Sequence, residues 1–470
     1  MSNIYTEKIN NYLDSQKEEM VSFLGDLVSI NSVKADALPG VPYGKGLANI
    51  LSTALKKAES FGFETKNMEN YIGFADFYHD KPYLGIIVHL DVVGIGSGWI
   101  YPPFELSVKD GKLYGRGTSD NKGATVASIF AIKAIKVLNI PLKKNIRLIF
   151  GCDEESGFSD LKYYIKNENL PEHTFVPDGD FPVINIEKGG YGSSFSAEFK
   201  ENISSKRQII NIKGGYRGNV VPPEAKALIV GFSVKEIKNY SLRIQEKTGV
   251  DFIISEQVGG VLIRVHGLAA HASTPEKGKN ALTALISFLC SIPFEKCDGF
   301  DALQGVNSIF PYGDYYGLKA GISYEDDISG KLTVNFAICE YTISGLLVHF
   351  DMRTPVSAKE EVVVNTLYKK LAVYNILLNK NGWRQPHHTP EDTTFIKKLL
   401  EVYGENTGFK PYCKYTGGGT YAHIIEGAVA FGARFEDTPK TAHMADEFIP
   451  ERDLILSSKI FAHAIVELCQ

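Results

Sequence analysis

The sequence has no apolar run of about 18 or more residues, the length that a membrane-spanning helix needs. Its first residues, MSNIYTEK, lack the basic start and apolar core of a signal peptide. The chain has six cysteines, scattered and without a CxxC pair, which is typical of a reducing compartment. We therefore expect a cytoplasmic protein without a membrane partner.

Positive charge is not in excess either. The chain has 50 Lys plus Arg against 55 Asp plus Glu, which gives a net charge of −5. Proteins that bind a phosphate backbone depend on an excess of Lys and Arg. We expect no nucleic-acid partner, and the lack of low-complexity tracts or short-period repeats argues against a solenoid.

The 470 residues, of which 44% are hydrophobic, indicate two or three domains. Apolar runs near 83–89 and 145–151 predict strands on either side of a helix near 120–138. This alternation predicts an α/β layer with a mainly parallel central sheet, which binds ligands at the carboxyl ends of its strands.

The pattern becomes strand-rich from about residue 187 and returns to helices near 392–406 and 450–468. We therefore predict a discontinuous catalytic domain, 1–186 and 383–470, interrupted by an α+β domain at 187–382.

Three acids follow directly on the predicted strand Ile146–Phe150: Asp153, Glu154 and Glu155 come after only Gly and Cys. Neighbouring side chains on an extended chain diverge, so the two glutamates can serve one site in different roles, one binding a cation and the other handling a proton. The alternative is a solvated acidic turn. Cys152 beside them is interpreted as a small buried strand residue rather than a nucleophile.

Two more predicted strands end in residues that bind metals. His89 and Asp91 lie on the same face of a strand, so Asp91 can accept the second ring N–H of His89 and orient it. Asp120 stands where strand-like sequence changes to helix. A single histidine after a strand is usually a core or turn residue, but Asp178 and His443 enlarge the set of candidate ligands.

These motifs resemble, in order, those of the M20 family of metallopeptidases, and within it the bacterial dipeptidases of the PepV type. The corresponding residues are His89-Leu-Asp91, Gly117-Thr-Ser-Asp120, Asp153-Glu154-Glu155-Ser-Gly157, Asp178, His271 and His443.

The resemblance implies a site for two divalent cations bridged by Asp120. His89 and Asp178 would complete the coordination of one cation, and Glu155 and His443 that of the other, while Glu154 would act as general base. Imidazole and carboxylate ligands together suit zinc, with manganese or cobalt as alternatives.

Other residues match family positions in the predicted inserted domain. His271 resembles a histidine that stabilises an oxyanion, and its alternative is a turn histidine beside Pro275. Arg353 would bind a substrate carboxylate, and Asn219 a carbonyl or carboxylate. The alternatives are a strand-edge salt bridge for Arg353 and a turn residue for Asn219.

Two glycine-rich segments are candidate ligand loops. One contains Gly418, Gly419 and Thr420 and lacks the lysine of a phosphate loop, so it is interpreted as a wall of the dipeptide pocket on the carboxylate side. The other has the spacing G-x-G-x-G from Gly94 to Gly98. Because Pro102–Pro103 follows where a long helix should run, a dinucleotide site is rejected.

The predicted insert is about twice as long as one four-stranded ferredoxin-like unit requires. Many members of the family carry one such unit, dimerise through it and receive the oxyanion histidine from the partner. A doubled ferredoxin-like insert implies that His271 serves its own chain, and we expect a monomer.

The predicted function is a metal-dependent dipeptidase that hydrolyses unsubstituted dipeptides with a metal-activated water. The alternative within the family is an N-acyl amino acid deacylase or a carboxypeptidase. An alternative of another class is a non-catalytic peptide-binding protein, but binding alone does not need a general base such as Glu154.

Overall fold

The computed structural model describes residues 4–200 and 206–470. Residues 1–3 and 201–205, which belong to the predicted catalytic and inserted domains, lie outside the described residues.

The chain forms two compact units. The first contains the described residues up to Ile186, together with His387–Tyr415 and Gly419–Gln470. The second contains the described part of Glu187–Pro386, together with Thr416–Gly418.

The helices of the described residues are α1 (Thr6–Ser15), α2 (Lys17–Val28), α3 (Lys45–Ser60), α4 (Lys122–Val137), α5 (Ser159–Asn167), α6 (Val234–Thr248), α7 (Ala281–Leu289), α8 (Asp298–Ile309), α9 (Glu360–Ala372), α10 (Thr394–Thr407) and α11 (Glu451–Cys469). None of them is both long and apolar enough to cross a lipid bilayer.

The first part of the chain contains strands β1 (Glu64–Met68), β2 (Ile72–Asp76), β3 (Pro82–His89), β4 (Ser107–Lys109), β5 (Lys112–Tyr114), β6 (Asn145–Gly151), β7 (His173–Val176), β8 (Gly179–Asp180) and β9 (Val183–Glu187). The middle part contains β10 (Gly189–Glu198), β11 (Gln208–Gly214), β12 (Glu224–Val230), β13 (Asp251–Gln257), β14 (Gly260–His266), β15 (Glu325–Asp326), β16 (Gly330–Lys331), β17 (Thr333–Thr342), β18 (Gly345–Thr354), β19 (Leu377–Leu378) and β20 (Trp383–Arg384). The last part contains β21 (His387–His388), β22 (Cys413–Thr416), β23 (Val429–Ala430), β24 (Ala433–Arg434) and β25 (Phe448–Pro450).

The main sheet of the first unit has the order β1-β2-β6-β3-β7-β23-β9-β21, with β22 paired to β9. Its central strands β6, β3, β7 and β23 are parallel, whereas β1, β2 and β9 pair antiparallel with their neighbours. Strand β6 is buried along its whole length, as expected for a parallel strand covered on both faces. Helix α4 is buried on all sides from Lys122 to Ile135, because it lies in the core against α11 and β3.

The second unit is built on one continuous antiparallel sheet with the order β13-β14-β12-β11-β17-β18-β10-β19, and β20 pairs with β10. Antiparallel pairing of β11 with β17 joins its two halves. The apolar sides of α7, α8 and α9 pack in the core of this unit. The predicted fold class, a mainly parallel α/β sheet with an inserted α+β domain, is confirmed.

Candidate active site

Three parallel neighbours of the first unit end together at one edge of the main sheet. His89 is the last residue of β3 and pairs in register with Gly151, the last residue of β6. Glu154 and Glu155 follow β6, and Asp178 follows β7. Side chains that are distant in sequence therefore meet at the carboxyl ends of the strands.

The side chain of Asp120 lies between two histidines. Its Oδ1 is 2.9 Å from His89 Nε2, and its Oδ2 is 3.1 Å from His443 Nε2. Glu155 Oε1 is also 3.1 Å from His443 Nε2. Each carboxylate oxygen of Asp120 thus faces a different imidazole, which is the arrangement that a bridging ligand requires.

The site contains two sets of potential ligand atoms, and within each set the atoms lie no more than 4.8 Å apart. One set comes from His89, Glu154 and Asp178, and the other from His89, Asp120 and Glu155. Metal–ligand distances of about 2.0–2.2 Å place ligands on opposite sides of a cation up to about 4.4 Å apart, so small side-chain adjustments would bring the histidine and the other carboxylates within range of a cation while Glu154 stays beside it. The adjacent glutamates diverge, one into each set.

Asp91 supports both the histidine and the glutamates. His89 Nδ1 is 3.0 Å from the backbone carbonyl of Asp91 and 3.3 Å from its Oδ1, so the carbonyl, rather than the expected carboxylate, is the nearer acceptor. The carboxylate instead accepts the backbone N–H groups of Glu154 at 3.1 Å and Glu155 at 2.9 Å. Asp91 therefore orients two parts of the site at once.

The electrostatics of this cluster favour a bound cation. Burial, and then the charge of Asp178, raise the pKa of Glu154 well above its usual value. Burial and the charge of Asp120 raise the pKa of Glu155 to about 7, against the effect of His443. Hydrogen bonds with Asp120 and Glu155 raise the pKa of His443 to about 10. Divalent cations would relieve the repulsion between these carboxylates, and the donor set of imidazoles and carboxylates fits them.

Glu447 is a residue of the site that the sequence did not single out. Its carboxylate is fully buried and accepts Arg116 Nη1 at 2.7 Å and the backbone N–H groups of Gly117 and Asp120 at 3.0 Å each. Antiparallel pairing of β5 with β25 brings this segment into place. Glu447 thereby ties the Asp120 loop to the segment that carries His443. The available signal was a pair of acids, Asp446 and Glu447, just before a short apolar strand.

Among the second unit's residues, His271 and Asn219 are neighbours. Val220 forms a β-bridge with His271, and the Asn219 carbonyl accepts the N–H of Ala272 at 2.9 Å. His271 Nδ1 accepts the N–H of Ser273 at 3.2 Å and lies 2.7 Å from Ser273 Oγ. A neutral imidazole that accepts at Nδ1 carries its proton on Nε2, where it can be donated to an oxyanion.

Arg353 lies on β18 and forms a bidentate ion pair with Asp351, at 2.9 Å from Nε and 2.8 Å from Nη2. Its Nη1 donates to the carbonyl of Gly417 at 2.8 Å. A Cβ at Gly417 would lie 2.5 Å from Cβ of Ser273, so glycine is required for this approach. The sequence also does not single out Arg384, which lies on β20. Burial, and then the charge of Arg353, lower its pKa.

The predicted pocket wall consists of Gly418, Gly419 and Thr420. The N–H of Gly418 donates to Thr416 Oγ1 at 3.1 Å. Thr420 Oγ1 accepts the N–H of Ala422 at 3.1 Å and begins a short 3-10 helix.

Cys152 is fully buried in the core of the first unit, and burial raises the pKa of its thiol well above the usual value. A protonated thiol in such surroundings is a structural residue rather than a nucleophile.

Comparison with known proteins identifies the family. The model of peptidase family M20/M25/M40 matches residues 85–467. The protein YtjP of Bacillus subtilis (strain 168) is 35% identical over 462 residues, which cover 97% of this chain and 98% of that protein. The Beta-Ala-Xaa dipeptidase of Lactobacillus delbrueckii subsp. lactis is 33% identical and covers 97% of each chain.

The fold is also that of a solved structure. Human carnosine dipeptidase 1 has a TM-score of 0.60 and 17% sequence identity, with 99% of each chain covered. The chain therefore belongs to peptidase family M20/M25/M40, and the predictions of that family and of a metallopeptidase are confirmed.

Proposed function

We propose that this member of peptidase family M20/M25/M40 is a metal-dependent dipeptidase that hydrolyses unsubstituted dipeptides. The observation that carries the proposal is the cluster around Asp120, in which imidazoles and carboxylates converge while Glu154 is held beside them. The similarity to a Beta-Ala-Xaa dipeptidase over almost the whole chain supports this choice of substrate.

Two divalent cations would be held by the residues of the cluster. Asp120 would contribute one oxygen to each cation, His89 and Asp178 would complete one coordination sphere, and Glu155 and His443 the other. When bound, the cations would polarise the scissile carbonyl and lower the pKa of the attacking water. Zinc suits this donor set, and manganese and cobalt are the alternatives for the metal.

Glu154 is the proposed general base. Its position beside the ligand cluster allows it to take a proton from the attacking water and to deliver it to the leaving amine. The carboxylate of Asp91 accepts the backbone N–H of Glu154 at 3.1 Å, which restrains the backbone from which this side chain extends. Glu155 is engaged with His443 and serves as a ligand instead.

Residues of the second unit would bind the substrate. The Nε2–H of His271 would donate to the developing oxyanion, and Asn219 beside it would donate to a carbonyl or carboxylate. Arg353 uses three of its five N–H groups in the contacts with Asp351 and Gly417, and a substrate carboxylate can accept from the other two. Gly418, Gly419 and Thr420 would line the carboxylate side.

The oligomeric state that we propose is a monomer. One antiparallel sheet already joins the two halves of the second unit. A single chain therefore contains the continuous sheet that two single ferredoxin-like units would form by dimerising. Light scattering at several protein concentrations should give a mass near 51.9 kDa throughout. A mass that doubles at working concentration would contradict this.

The experiment that tests the function is a substrate panel. Protein treated with a chelator and then supplied with zinc, manganese or cobalt is assayed on dipeptides, β-alanyl dipeptides, tripeptides, dipeptide amides and N-acyl amino acids. We expect metal-dependent hydrolysis of free dipeptides above all others. Turnover restricted to N-acyl amino acids would establish the deacylase instead, and the absence of any turnover would favour a peptide-binding protein.

A further inference from the structure

The segment Cys152–Glu155, which carries both glutamates of the site, is held by its backbone. Its four successive N–H groups donate to two buried carboxylates. Oδ2 of Asp160 accepts from the first two at 2.6 and 2.9 Å, and the carboxylate of Asp91 accepts from the last two at 3.1 and 2.9 Å. A hydrogen bond to an ionised acceptor is shorter and stronger than a neutral one, so this segment has little freedom to turn.

Asp160 belongs to the first turn of α5 and is completely buried. Besides the two amides, its Oδ2 accepts the hydroxyl hydrogen of Tyr421, while its Oδ1 accepts the N–H of Leu161 at 2.6 Å. The position of this carboxylate is therefore determined by α5 on one side and by the Tyr421 hydroxyl on the other.

Tyr421 is also completely buried, and its ring lies directly against the end of β6. A Cβ at Gly151 would come within 2.0 Å of the Tyr421 hydroxyl oxygen and 2.6 Å of the ring, so only glycine permits this contact. The 3-10 helix that starts after Thr420 holds Tyr421 in this place. The glycine-rich segment before Tyr421 therefore leads into a buried contact of the first unit, which differs from its predicted role in lining a pocket.

We propose that Tyr421 and Asp160 are positioning residues for the general base Glu154. The hydroxyl of Tyr421 fixes the carboxylate of Asp160, which fixes the amides of Cys152 and Asp153, and these set the direction in which Glu154 leaves the chain. The inference rests on the proposed function, because it assigns a role relative to the base of that reaction.

The effect on the reaction follows from the distance over which proton transfer works. A general base must lie within about 2.6–3.2 Å of the group whose proton it takes. A displacement of about 1 Å in a catalytic group costs on the order of 100-fold in rate. The loss should appear in kcat, because neither Tyr421 nor Asp160 is among the residues proposed to bind the substrate.

The variant Tyr421→Phe tests this, with Tyr164→Phe as a matched control. Tyr164 is equally buried and lies in the same apolar cluster as Tyr421. Its hydroxyl donates to the carbonyl of Asn169 at 3.1 Å and accepts from Arg147 at 3.0 Å, away from the glutamate segment. Both variants lose one buried hydroxyl and keep the ring, so both should lose similar stability.

We expect Tyr421→Phe to lower kcat at least tenfold, with KM within about twofold, when both proteins are assayed at equal metal content by elemental analysis. Tyr164→Phe should keep kcat within about twofold. Adding Tyr421→Phe to Asp160→Asn should cause little further loss, because both changes break the same chain of contacts. A kcat for Tyr421→Phe that is unchanged, or lowered only as much as in the control, would overturn the proposal. So would fully additive losses.

Amide hydrogen exchange gives a readout that does not depend on turnover. The amides of residues 152–155 should exchange faster in Tyr421→Phe than in the unmutated protein or in Tyr164→Phe. Unchanged protection in Tyr421→Phe would refute the positioning role. If the unmutated protein cleaves no dipeptide, the proposed function fails by itself, and the exchange rates still decide whether Tyr421 holds this segment.

Discussion

Replacing Glu154 by glutamine separates a general base from a metal ligand. The amide has the size of the carboxylate, and the backbone hydrogen bond to Asp91 at 3.1 Å does not involve the changed group. What is lost is the ability to accept a proton. General bases contribute about 10²- to 10⁴-fold to the rate, which corresponds to about 2.7–5.4 kcal/mol of activation free energy. We expect kcat to fall by at least about 100-fold with the metal content near two per chain.

The neighbouring change Glu155→Gln is the internal comparison. The chemical alteration is identical and lies one residue along the chain, but Glu155 contacts His443 and is the proposed ligand. Its loss should lower metal content and activity together, because an amide is a weaker ligand than a carboxylate and binding requires the charged donor. Both variants are measured by steady-state kinetics and elemental analysis. Substantial activity in Glu154→Gln, or metal loss in Glu154→Gln with full occupancy in Glu155→Gln, would refute the assignment.

Three further predictions concern metals, selectivity and pH. Chelation should abolish hydrolysis and lower the melting temperature, and zinc, manganese or cobalt should restore both; activity that survives verified metal removal would contradict the mechanism. Dipeptides should be cleaved at least about tenfold faster than their amides or tripeptides, since each added residue lengthens an extended substrate by about 3.3–3.6 Å. Arg353→Ala should remove much of this preference, measured as kcat/KM. Equal rates on a dipeptide and its amide in the unmutated enzyme would refute this prediction. Burial lowers the pKa of His463 to about 4, below its unfolded value near 6.5. The neutral imidazole's contribution to stability is therefore present above pH 6.5 and is lost as the pH falls towards 4, by about 2 kcal/mol at pH 5. In urea unfolding, His463→Gln should lose less stability between pH 7 and pH 5 than the unmutated chain, and an equal loss would count against this.

The parts of the site that lie at strand ends could be predicted from the sequence. His89 and Glu154 each follow a local apolar run, and parallel neighbours bring such ends together whatever the rest of the chain does. The helix near 120–138 could also be predicted from a local sequence pattern, and in the structure it begins at Lys122. These are local signals with a general geometric consequence.

The supporting contacts could not be predicted, because their partners are far apart in sequence. Glu447 reaches the Asp120 loop only through the pairing of β5 with β25, and Tyr421 reaches Asp160 across 261 residues. The pattern around Arg353 was ambiguous for another reason. Asp351 stands two residues away on the same face of β18. The sequence pattern is therefore the same whether Arg353 forms a structural salt bridge or binds a substrate carboxylate.

The place of β23 in the main sheet bears on how the protein is made. This strand, at Val429–Ala430, lies between β7 and β9, which are only a few residues apart in the chain. During synthesis, β23 therefore cannot pair with β7 and β9, and the main sheet stays incomplete, until almost the whole polypeptide has left the ribosome. Unpaired strand edges invite association with other chains. Products of premature termination should therefore aggregate or be degraded rather than accumulate as a folded half-enzyme.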